Sequence, residues 1–120
     1  MFTLNASVGC PGGGTGIMSV LASPGPPMKL SVAWCAALAT VPGGDRTSPI
    51  STTSDGNGAD SIVWFVAGGG TLVGVDGDTG AMLAMPAGTC AGVRAWTSPI
   101  AVKGRIVAGA DGQLCSWSVH

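Results

Sequence analysis

Thr47-Ser48-Pro49-Ile50 recurs letter for letter as Thr97-Ser98-Pro99-Ile100, 50 residues further along the chain. Each copy is followed by a polar turn, an apolar run of strand length, a Gly-rich turn and a second apolar run. A fixed period of this size marks an array of like units, not a one-off core. Pro49 and Pro99 fall near the start of a predicted strand, where a missing N–H costs least. The motif therefore reads as the point where each unit begins.

The unit after the second copy is the easiest to follow. Residues 98–102 form a predicted strand, Lys103-Gly104 a two-residue turn and 105–109 a second strand. Ala110-Asp111-Gly112 makes the next turn, and 113–119 a third strand. Strand, X-Gly turn, strand, Asp-Gly turn, strand is the pattern of an antiparallel meander. The unit after the first copy repeats it with an enlarged turn over 54–60, so that Leu72 corresponds to Leu114 and Val73 to Cys115. It adds the turn Asp76-Gly77-Asp78-Thr79-Gly80 and a fourth strand over 81–85. Earlier residues look like a degenerate unit, with strands over 16–22 and 29–35 around Ser23-Pro24-Gly25-Pro26-Pro27. The organisation predicted is an irregular Gly-rich segment over 1–15, a partial unit over 16–45, a full unit over 46–95 and a final partial unit over 96–120.

Composition agrees with strands and turns. Gly accounts for 21 of 120 residues, charged residues for 9%, and Glu and Tyr are absent. Helix formers with charged side chains are nearly missing, while Gly, Val, Ser and Thr are common. The five cations, Lys29, Arg46, Arg94, Lys103 and Arg105, are scattered, and the net charge is -1. No basic patch exists for nucleic acid. Apolar residues reach 46%, yet the longest apolar stretches, 30–41 and 61–75, are shorter than the roughly 20 residues of a spanning helix. A chain whose sheet faces are both covered in a larger β-protein carries this composition. Met1 to Gly16 lacks a basic and then a continuous apolar region, so no signal peptide is read there.

Cys10, Cys35, Cys90 and Cys115 form no CxxC pair, and the single His is residue 120. A zinc site would need ligands grouped more closely. Disulfides within this set remain open, in any of three full pairings, and would imply an oxidising compartment.

Ser-Pro-Ile, a short turn, a hydrophobic strand, a Gly-rich turn, an apolar strand and Asp-x-x-Thr-Gly together resemble the repeat of quinoprotein-type (pyrroloquinoline-quinone-like) β-propellers. The family pattern Ala-x-Asp-x-x-Thr-Gly, with a tryptophan four positions on, is matched at Asp76, Thr79 and Gly80. Gly74 stands for the alanine and Ala84 for the tryptophan, which in the family docks between blades. The Ser-Pro-Ile element is matched at Ser48, Pro49 and Ile50, and again at Ser98, Pro99 and Ile100. The resemblance implies an all-β fold of antiparallel meanders stacked as propeller blades, of which this chain holds about two and a half. It implies a C-terminal segment or truncated relative of a larger secreted or periplasmic propeller. The expected partners are the remaining blades or further copies of the chain.

Each candidate site competes with a structural reading. Asp55, Asp76 and Asp111 open Asp-Gly pairs, where the carboxylate folds onto its own backbone and Gly supplies positive φ. Counted from Asp76, an EF-hand would need Gly and Glu where Ala81 and Ala87 stand. Asp55, Asn57 and Asp60 form a better oxygen cluster for a metal, although they lie in a solvated turn. Gly12-Gly13-Gly14-Thr15-Gly16 lacks the Lys-Ser/Thr of a phosphate loop. Trp34, Trp64, Trp96 and Trp117 are expected to pack between sheets. The function expected is a non-catalytic scaffold or binding module of a larger exported protein, with no cofactor. One alternative is a fragment of a quinone-dependent dehydrogenase, with pyrroloquinoline quinone and calcium held by residues outside this chain. The other is a small β-protein that completes a ring by oligomerisation.

Overall fold

The turn chemistry fixes the strands. Lys103 and Gly104 both lie in the left-handed region (φ 46° and 74°), the geometry that matches the twist of a two-residue hairpin. Asp76 Oδ1 accepts the N–H groups of Asp78 (3.0 Å) and Thr79 (2.7 Å) and the Thr79 hydroxyl (2.8 Å). Gly80, at φ 73°, closes that turn with an N–H bond to the Asp76 carbonyl at 2.8 Å. The Thr79 hydroxyl and amide hold the Asp76 carboxyl below its ordinary value.

A computed structural model of the chain describes residues 2–6, 10–11, 16–37, 47–54 and 56–119. Ten strands run through them: β1 (Phe2–Ala6), β2 (Gly16–Ser23), β3 (Lys29–Ala37), β4 (Ile50–Thr52), β5 (Ile62–Val66), β6 (Leu72–Asp76), β7 (Met82–Ala84), β8 (Ile100–Val102), β9 (Arg105–Ala110) and β10 (Gln113–Ser118). They form three antiparallel sheets in chain order: β1-β2-β3, then β4-β5-β6-β7, then β10-β9-β8. Gly68–Gly70 makes a single 3-10 turn between β5 and β6.

The three sheets meet through two apolar layers. Val63, Phe65, Val73 and Val75 of the second sheet pack with Ile17 and Trp34 of the first. Trp64, Val66 and Leu72, on the opposite face, pack with Ile106, Ala108 and Trp117 of the third. Side chains alternate across a strand, so a strand covered on both faces must be apolar at every position. That is why residues 62–67 read as an unbroken apolar run. Among the described residues no helix is long and apolar enough to cross a membrane.

The repeat carries into the packing. Ile50 pairs with Trp64 as Ile100 pairs with Val107. Extending both registers sets Val63, Phe65, Val73 and Val75 against Ile106, Ala108, Cys115 and Trp117. In each sheet this set faces the sheet that precedes it in the chain. The second and third sheets therefore present the same face in the same direction, which is head-to-tail stacking.

Two differences from the sequence expectation stand out. The irregular segment predicted over 1–15 contains β1, which pairs with β2 from Phe2↔Val20 to Ala6↔Gly16. Its partner lies ten and more residues away, so no local turn signal announces it. Trp34, Trp64 and Trp117 are buried as expected, whereas Trp96 is 81% exposed, in the loop before β8.

Both disulfides close loops of equal span. Cys10 joins Cys35 and Cys90 joins Cys115, each with a sequence separation of 25. The second fastens the segment after β7 to β10. Two disulfides fit a non-reducing environment. The double variant Cys90→Ala/Cys115→Ala is expected to lose about 3 kcal/mol of stability, the loop-closure entropy of a span this long. Urea unfolding of the oxidised wild type against the variant measures it.

Candidate functional site

The two Thr-Ser-Pro-Ile copies lie side by side. The Ser48 N–H donates to the Thr97 carbonyl at 3.1 Å. Thr47 is buried, and its Oγ1 accepts the Val66 N–H at 2.8 Å, tying the motif to β5. Pro99 is fully buried and Pro49 half-buried. Through the Ser48 amide and the Ile50 side chain, the motif thus contributes to the contact between the second and third sheets. Ile50 packs in the second apolar layer, while its counterpart Ile100 is 56% exposed.

The Asp76–Gly80 turn is also a docking point. The Trp34 indole Nε1 donates to the Gly77 carbonyl at 2.8 Å, and the ring lies against Gly80. A Cβ on Gly80 would come 2.5 Å from the ring. Asp76, Thr79 and Gly80 therefore shape a seat for a tryptophan from the preceding sheet. Ala84 stands where the family pattern has its own tryptophan, and it is a partly buried neighbour of the second layer. Trp117 makes a comparable contact, its Nε1 donating to the Gly88 carbonyl at 3.2 Å.

The oxygen cluster is not drawn together among the described residues. Asp55 lies outside them. Asp60 Oδ2 accepts the Ser54 hydroxyl at 3.2 Å, and Thr53 Oγ1 accepts the Gly56 N–H at 3.2 Å. These are bonds within the turn itself. Asn57 takes part in a further interaction. No three His, Cys, Asp or Glu side chains converge as a metal site among the described residues. Asp111 is engaged elsewhere, forked to Arg94 at 2.9 Å (Nε–Oδ1) and 2.5 Å (Nη2–Oδ2). The hydrogen bonding lowers the Asp111 pKa and raises that of Arg94. Both side chains are more than half exposed, so the pair acts as a modest surface clip.

An open cleft of about 740 Å³ runs between the second and third sheets. Trp64, Ile62, Ile106 and Val119 line its apolar part, with Thr52 and Asp60 on one wall and Lys103 on the other. The Trp64 Nε1 donates to Thr52 Oγ1 at 2.9 Å, so the indole is already held by the protein. Ser54 and Asp60, which also line the cleft, are bonded to each other.

The most distinctive surface is the outer side of the third sheet. Ile100, Val102 and Leu114 are exposed there at 56%, 46% and 80%. Their register counterparts in the second sheet are Ile50, Thr52 and Leu72, and Leu72 is fully buried beneath the third sheet. Among the described residues the third sheet also ends on β10, which pairs with β9 alone, whereas its counterpart β6 is flanked by β5 and β7. Sequence equivalence identified Leu114 with Leu72, yet their surroundings differ completely. Compared with protein-family models, curated proteins and solved structures, the chain matches none.

Proposed function

We propose that this chain is a segment of a quinoprotein-type β-propeller and serves as a non-catalytic scaffold or interaction module in a larger exported protein. The observation that carries the reading is the head-to-tail stacking of the second and third sheets, with the next stacking face left uncovered at Ile100, Val102 and Leu114. An apolar face of this kind marks an interaction surface. A further sheet of the same repeat, from the parent protein, is the occupant that fits it. The two disulfides suit a secreted or periplasmic parent.

Sedimentation of the isolated chain tests this. Heterologous contacts that do not close give assemblies without a defined size. The wild type is expected to self-associate in that open-ended way, and Ile100→Asp to restore a monomer. A closed oligomer of fixed size would instead favour the self-completing ring. Pyrroloquinoline quinone with calcium is expected to leave the melting curve unchanged. Saturable quinone binding would overturn the scaffold reading.

A further inference from the structure

We propose that Asn57 is a site of spontaneous covalent modification, where the chain converts its own side-chain amide to an aspartate or isoaspartate. The nucleophile is the backbone nitrogen of Gly58. It attacks Asn57 Cγ, the new N–C bond closes a succinimide ring, and the Cγ–Nδ2 bond breaks. The proton from the Gly58 nitrogen leaves with the amide nitrogen as ammonia. Solvent water then adds to one of the imide carbonyls and opens the ring. Cleavage on the side-chain side gives aspartate, and cleavage on the main-chain side gives isoaspartate. A Cβ on the following residue crowds the ring closure, and glycine has none.

The turn between β4 and β5 leaves room for this chemistry. Its described residues, 54 and 56–60, are all exposed. Gly56 and Gly58 lie at φ 71° and 90°, with nothing within 4 Å of an added Cβ. The bonds that hold the turn run from Ser54 to Asp60 and from Gly56 to Thr53. Among the described residues the Gly58 N–H donates no hydrogen bond, so the attacking nitrogen gives up none when the ring closes. Asn57 takes part in an interaction of its own, and it is the amide that follows it which defines the site.

Comparable sequences elsewhere in the chain are held out of reach of the same reaction. At Asp76-Gly77 the buried Gly77 donates its N–H to the Ser61 carbonyl at 2.7 Å, and Asp76 Oδ1 already accepts Asp78 and Thr79. At Asp111-Gly112 the carboxylate is forked to Arg94. An ionised carboxylate is also a poorer acyl acceptor than an amide. Asn5 precedes Ala6, and both are paired in the ladder of β1 with β2. Conversion at Asn57 adds one negative charge to a turn that already contains Asp55 and Asp60. Ser54 and Asp60 of that turn line the cleft that Lys103 also lines, so the modification alters the charge beside it.

The test incubates the full oxidised chain in mildly alkaline buffer, folded and in urea, and follows it by mass spectrometry. In the folded chain the mass is expected to rise by the difference between an amide and an acid, with fragmentation placing the change at position 57. A methyltransferase specific for isoaspartate should label the same peptide. The rate should rise with pH, because the Gly58 nitrogen must lose its proton to attack. Gly58→Ala is expected to slow conversion about tenfold or more. Asn57→Gln is expected to remove it, since the longer side chain has to close a larger ring. Both positions are exposed, so circular dichroism should report an intact fold in each variant. Urea should bring isoaspartate at positions 76 and 111 as well, with no change of mass, whereas the folded chain keeps them as aspartate. A folded chain that retains Asn57 while the unfolded one converts would overturn the assignment. So would conversion of Gly58→Ala at the wild-type rate.

Discussion

Gly70→Ala is expected to destabilise the chain by about 4 kcal/mol or more, a large share of the stability of a domain of this size. Gly70 lies at φ 83°, and a Cβ there would run into the backbone of Cys90. That backbone cannot retreat easily. The Cys90 N–H donates to the Gly70 carbonyl at 2.9 Å, Thr71 bridges to Thr89, and Cys90 is held by its disulfide. Gly69→Ala is the matched control. Gly69 has nearly the same φ, 80°, with open space around the added carbon. It is expected to cost only about 1–2 kcal/mol, the penalty of a left-handed conformation alone. Urea unfolding of the two variants separates backbone strain from collision. Equal effects would show that the close approach at Gly70 contributes nothing.

Trp34→Ala is expected to cost about 3–5 kcal/mol, the usual range for deleting a buried aromatic side chain. The effect should be local. Among the described residues, Ile17 and Trp34 are the buried side chains that the first sheet gives to its layer with the second. Trp34 also makes the 2.8 Å bond to Gly77 and fills the seat over Gly80. Without the indole, the first sheet should lose amide protection in hydrogen exchange while β5, β6 and β9 keep theirs. Trp34→Phe, which retains a ring but not the donor, should cost about 1 kcal/mol from the hydrogen bond. Uniform loss of protection across all three sheets would show that the layers unfold as one unit.

Those two variants also mark how far the chain could be read from its residues. Strands β4 to β10 fall where the turn signals place them, because Lys103-Gly104 and the Asp76–Gly80 turn encode their own geometry. The double-sided burial of the second sheet was legible in the unbroken apolar run over 62–67. β1 was not legible, since it is defined by pairing with β2 across a distant stretch of chain. Trp96 was misplaced for a related reason: residue type favours burial, but the loop before β8 carries it away from both layers. Position 84 holds an alanine, and it is Trp34, from another sheet, that meets the Asp76–Gly80 turn. The oxygen cluster of Asp55, Asn57 and Asp60 was visible as composition, while the bonds at Asp60 and Thr53 belong to the turn.

The sequence by itself determined the repeat, the antiparallel meanders and the positions of most turns. Each depends on the conformational preferences of residues adjacent in the chain. Only the tertiary structure decided which cysteines join, which tryptophan meets which glycine, and which sheet face and strand edge remain open. Those outcomes depend on surfaces brought together across tens of residues. Leu72 and Leu114 show the difference: they hold the same place in the repeat, and one is sealed beneath the third sheet while the other faces solvent.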